Sequence, residues 1–174
     1  MANKKLELER LRERIIKKYY IQKWNEVWFF PKVGKIEGYY GTSKAMLVGS
    51  NPSLGSKGYK SLISKKLKWF YDILEKEGYS NAHLTDVIKL RMNNKEFEDF
   101  KKNENEVKKQ IKILKEEIDI IKPKNILAMG KKAKKILDEY NIPSRQITHY
   151  SRVYRFKKDK EKMIKQLREY LWKN

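Results

Sequence analysis

The chain has 174 residues, 40% of them hydrophobic and 12% aromatic, enough for one substantial core and within the range of a single domain. Lysine and arginine number 42 against 22 acidic residues, so the formal net charge is +20. A polyanion, nucleic acid first, suits such a surface, and a heat-adapted lysine-rich surface is the other source of such a balance. Cysteine is absent and His83 and His149 are the two histidines, which excludes disulfides, thiolate metal sites, iron–sulfur clusters and a cysteine nucleophile; no metal and no cofactor are expected. No apolar run approaches the roughly 18 residues that span a bilayer, and Met-Ala-Asn-Lys-Lys is not followed by a signal-peptide core. The expectation is a cytoplasmic monomer without membrane contact.

In chain order, residues 4–24 carry Leu8, Leu11, Ile15 and Tyr19 between charges, which predicts a basic amphipathic helix. Trp24 to Phe30, followed by Pro31 and three glycines, predicts an irregular segment over the core. Ala45-Met-Leu-Val-Gly49 then breaks into Ser50-Asn51-Pro52-Ser53, a buried strand that delivers polar groups to its carboxyl end. Leu62 to Glu77 returns to helical spacing, Gly78 stops it, and His83 to Leu90 predicts a second strand. Arg91 to Asn105 is strongly polar and predicts a surface excursion with room for a short helical turn. Val107 to Ile121 predicts a helix ended by Pro123, Asn125 to Met129 a third strand, and Lys131 to Tyr140 the helix after Gly130. Arg145 to His149 predicts a fourth strand and Lys158 to Trp172 a closing helix.

This alternation predicts a three-layer α/β/α sandwich with a central four-stranded, mainly parallel sheet plus an extra N-terminal helix, in one domain over 1–174 whose core starts near 44. Open sheets of this kind bind ligands outside the carboxyl ends of their strands. The loops expected to converge there are Gly49 to Ser53, Asp86 to Arg91, Gly130-Lys131 and His149 to Val153.

Four segments on those loops resemble the uracil-DNA glycosylase superfamily, nearest its mismatch-specific branch. Gly49-Ser50-Asn51-Pro52-Ser53 is similar to that branch's Gly-x-Asn-Pro-Gly loop. Thr85-Asp86-Val87-Ile88-Lys89-Leu90-Arg91 resembles the second-strand segment of thermostable members, and Pro123 to Ala133 the third strand and its turn. His149-Tyr150-Ser151-Arg152-Val153 stands in place of a second loop that usually reads His-Pro-Ser or Asn-Pro-Ser. The resemblance spans roughly residues 44–172.

It implies a repair enzyme that flips a base out of DNA and hydrolyses its glycosidic bond. Asn51 would orient a water; an aspartate there could also act as a base, so Asn51 implies a slower catalyst. His149 would donate a hydrogen bond to a carbonyl of the departing base, or be a loop histidine satisfied by backbone. Gly49 and Ser50 would line the base pocket, and Tyr59 would stack on the base or fill the core. Ser53, Ser56 and Ser151 would contact phosphates, with Lys89, Arg91 and Lys131 as further DNA contacts or, for Lys131, a solvated lysine. Val153, or Arg152, would fill the hole in the duplex.

Three positions depart from the pattern. Asp86 replaces an asparagine that reads the base edge; a carboxylate only accepts hydrogen bonds, so it favours an exocyclic amino group or pairs with Lys89 or Arg91 instead. Tyr150 replaces a proline, and Ser53 stands where the uracil-restricted branch has a bulky tyrosine, which implies a broader base range. The other functions open to this sequence are a nucleic-acid-binding module on the same fold and a protein binding a small phosphorylated ligand at Gly49 and Gly130.

Overall fold

The computed structural model describes residues 2–19, 27–52, 65–153 and 155–172. Its centre is a four-stranded parallel sheet of β1 (Ala45–Gly49), β2 (His83–Asp86), β3 (Asn125–Met129) and β4 (Arg145–Ile147), in the order β2-β1-β3-β4. β1 and β3 are the inner strands, and their side chains alternate between two apolar layers as strand geometry requires. Met46, Val48 and Ala128 point into one layer, Leu47, Leu127 and Met129 into the other. Among the described residues, seven α-helices cover the two faces. α1 (Ala2–Tyr19), α3 (Asn94–Lys102), α4 (Glu104–Ile121) and α5 (Lys131–Glu139) pack on the first layer; α2 (Lys65–Lys76), α6 (Tyr150–Val153) and α7 (Lys157–Trp172) pack on the second. The expected sandwich, with its extra N-terminal helix, is the fold observed, and its sheet is parallel throughout.

Two elements differ from expectation. The polar stretch after Arg91 holds a nine-residue helix, α3, whose Phe97 and Phe100 are buried. Asn93 caps it: its side chain accepts from the Glu96 N–H at 2.9 Å while the Glu96 carboxylate accepts from the Asn93 N–H at 2.8 Å. Asn103 caps α4 in turn by accepting from the Glu106 N–H at 3.2 Å. Asparagines that suggested a loop are helix starts, because the same side chain that closes a turn also satisfies the first free amides of a helix.

β2, expected to reach Leu90, leaves the regular ladder after Asp86. The chain keeps to the loop after β1, with the Val87 and Ile88 amides donating to the Gly49 and Ser50 carbonyls and the Met92 amide to Pro52 O at 3.2 Å. β4 is likewise shorter than expected, ending at Ile147, whose carbonyl accepts from the Gly130 amide at 2.9 Å. Residues 20–24 of the first expected helix and 62–64 of the second lie outside the described residues. Trp28 and Phe30, from the irregular segment, are buried in the second layer, and no helix among the described residues is long and apolar enough to cross a membrane.

Candidate active site

β1 delivers Gly49, Ser50 and Asn51 to the carboxyl edge of the sheet, beside Asp86 at the end of β2, with which Gly49 is in register. A side chain at position 49 is impossible without movement, since its Cβ would stand 2.0 Å from Asp86 Oδ1 and 3.5 Å from the Met129 methyl. Glycine here is the space into which the Asp86 carboxylate folds.

Asn51 is held by its amide nitrogen, which donates to Pro52 O at 3.1 Å and to Met92 O at 3.4 Å. Two carbonyl acceptors fix which end of the amide is nitrogen. Oδ1 accepts from the Ser50 hydroxyl at 3.3 Å, its one donor among the described residues, and the residue is half-buried.

The fourth strand's loop arrives from the far side of β3. Gly130 has φ 88° and ψ 169°, a region open to glycine almost alone, and a Cβ there would lie 3.0 Å from His149 Cβ. The histidine therefore rests on a bare main chain. Its Nδ1 accepts from the Ser151 amide at 3.1 Å and lies 2.8 Å from the Ser151 hydroxyl. A backbone N–H can only donate, so the ring proton is on Nε2. Burial pushes the imidazole down to about 4, which keeps it neutral at pH 7.

Tyr150, in the proline's place, begins the short helix α6. Its ring stacks on His149 at 4.6 Å and on Phe70 of α2 at 5.1 Å, so α2 supports the His149 loop through one aromatic column. Burial, with the Asp86 charge adding to it, raises the Tyr150 phenol.

Asp86 itself is 6% exposed, and burial, partly offset by Lys89 and reinforced by Glu117, pushes its carboxyl up to about 7. An acid raised in the folded state contributes stability that is full below its ordinary value of 3.8 and is lost as pH rises through about 7. Asp86→Asn is thus expected to be more stable than wild type at pH 8 by on the order of a few kcal/mol, with the gap closing towards pH 4. Urea unfolding at the two pH values checks this, and an equal gap at both contradicts it.

Beneath the site, Lys89 corrects one expectation. Its ammonium is 1% exposed and bonds to Glu117 Oε2 at 2.9 Å, to Thr85 Oγ1 at 2.7 Å and to the Asp86 carbonyl. It is turned into the protein, where no phosphate reaches it, and it meets the main chain of Asp86 rather than its carboxylate. His83 Nε2 lies 3.8 Å from the same Glu117 oxygen. Burial raises the Glu117 carboxyl, but Lys89 and His83 outweigh it and hold it below its ordinary value. The sequence signal for this pair was a glutamate three residues after Leu114 on the apolar face of α4.

Val153 also differs from expectation. It is 2% exposed and packs with Phe70 and Leu127 in the second layer, because the segment winds into α6 and turns its apolar side inward. That burial leaves it no reach into a duplex. Arg91 is buried at 5% exposure, while Lys131 is exposed at the start of α5 and Arg152 is exposed and paired with Asp159 at 3.0 Å. Ser53, Ser56 and Tyr59 lie outside the described residues.

The arrangement thus offers an amide oxygen after β1 and a neutral N–H donor after β4, with a buried carboxyl at the end of β2, the strand beside β1. A search of the curated proteins returns no match. Residues 37–172, which contain the whole sheet and every described side chain of the site, match the model of the family described as the uracil DNA glycosylase superfamily, and the chain belongs to that superfamily.

Proposed function

We propose that this protein is a monofunctional base-excision glycosylase of the mismatch-specific kind, removing a deaminated base from DNA: uracil, hypoxanthine, xanthine or mismatched thymine. Membership of the superfamily carries DNA glycosylase activity in general; the narrower reading rests on Asn51 and His149. The observation that carries it is the pairing of an anchored amide oxygen with an Nε2–H donor at one sheet edge.

The nucleotide is extruded towards this sheet edge, and the basic surface, net +20, holds the backbone around it. As the C1′–N bond breaks, its electron pair leaves with the base and the sugar takes on oxocarbenium character. His149 donates from Nε2 to the base carbonyl where the negative charge gathers, and being neutral it keeps its proton. A water bound at Asn51 Oδ1 adds to C1′, and the proton it sheds goes to the departed base through solvent. An amide cannot act as a base at pH 7, so bond breaking runs ahead of attack.

The test is release of each base from duplexes carrying uracil, thymine, hypoxanthine or xanthine opposite each normal base, read as abasic sites after alkaline cleavage. Release of at least one deaminated base, without strand cleavage by the protein itself, is expected. Salt-dependent binding without release from any of them contradicts the proposal and favours a binding module.

A further inference from the structure

Three large apolar side chains are exposed among the described residues, Leu6, Trp69 and Phe156, and the last two flank the His149 loop. Trp69, on α2, is 43% exposed and directly precedes Phe70, whose ring supports Tyr150 and through it His149. Phe156, between α6 and α7, is 55% exposed, and its amide bonds back to the Arg152 carbonyl at 3.0 Å. Lys160 joins the two: its amide donates to Phe156 O at 3.2 Å, and its ammonium lies 4.5 Å from the centre of the Trp69 ring. Arg155, Lys157 and Lys158 are exposed along the same stretch. Arg152, in the same stretch, is paired with Asp159.

Exposed rings interleaved with cations are the surface that holds single-stranded nucleic acid, because any base can stack on a ring while the ammonium groups follow the phosphates. The charge excludes a cationic partner, and the aromatic content exceeds what a purely electrostatic duplex contact requires. A cation over an exposed ring is held weakly enough to be exchanged for a stacked base, which frees Lys160 for the adjoining phosphate.

We propose that Trp69, Phe156 and Lys160 form a stacking platform for unpaired nucleotides beside the His149 loop, so that the protein binds single-stranded DNA across this face and takes it as substrate. Binding needs only the platform; the word substrate rests on the function proposed above. Undamaged DNA separates the two, since its binding does not depend on bond cleavage.

The experiment is fluorescence anisotropy with a labelled, undamaged thymidine oligonucleotide and with a duplex of equal length. Trp69→Ala/Phe156→Ala is expected to bind the single strand about 10- to 100-fold more weakly, with duplex affinity changed less than about 3-fold. Trp69→Tyr, which keeps a ring, recovers most of the loss, and Lys160→Ala lowers the salt slope on the single strand by about one. Equal losses on both DNA forms, or an unchanged single-strand affinity, overturn the proposal. So does loss of binding to phosphatidylcholine–phosphatidylserine vesicles with oligonucleotide binding intact, which would make the patch a membrane surface. A platform that behaves as expected in a protein that excises nothing counts against the glycosylase reading alone.

Discussion

Lys89→Met is expected to cost about 3–5 kcal/mol of folding stability, although no solvent-facing contact is lost. The ammonium is the principal partner of a Glu117 carboxylate that is itself 0% exposed, and removing one member of a buried pair leaves the other charge in a low-dielectric interior. The second variant needed is Lys89→Met/Glu117→Leu. Removing both charges together also removes both desolvation penalties, so the pair of substitutions is expected to be neutral or stabilising by about 1–4 kcal/mol. The double variant would still loosen the site: Lys89 fixes the Asp86 carbonyl, and the chain from there runs to Met92, whose carbonyl anchors Asn51. Urea unfolding separates these terms, and a single variant as stable as wild type contradicts the buried pair.

His149→Ala is expected to lower the rate of base release by about 10²- to 10³-fold, the usual effect of deleting one donor aimed at developing negative charge. The geometry gives this donor little freedom. Gly130 supplies the floor, Tyr150 the stacked wall, and Ser151 the amide that sets the tautomer. Ser151→Ala keeps that amide and removes the hydroxyl alone, so it should cost far less than the histidine itself. Single-turnover rates on one substrate compare them, and equal losses would show that the hydroxyl, rather than the Nε2–H, carries the effect.

The inner strands were legible because burial on both faces makes them unbroken apolar runs, and residues 45–49 and 125–129 needed no tertiary information. That the loops carrying Asn51 and His149 leave the same carboxyl edge of the sheet was legible for a related reason: strands alternating with helices can close only as a parallel sheet whose loops share an edge. One miss was decided at long range and the others by local winding and caps. Lys89 on a polar-looking loop resembles any surface lysine until Glu117, 28 positions on, takes its charge. Val153 follows a histidine in an exposed-looking loop, and only the winding of α6 turns it inward. α3 was hidden by its own caps, since Asn93 and Asn103 are as common in turns as at helix starts. The tautomer of His149 depends on an amide two residues away whose direction no composition records.

The proposed mechanism turns on a water placed by Asn51. The most direct measurement is the single-turnover rate of uracil release from an oligonucleotide by wild type and by Asn51→Ala, with DNA affinity measured alongside. Loss of about 10²-fold or more in rate, at an affinity within about 2-fold of wild type, is the expected result. An Asn51→Ala protein that releases uracil at the wild-type rate would contradict it.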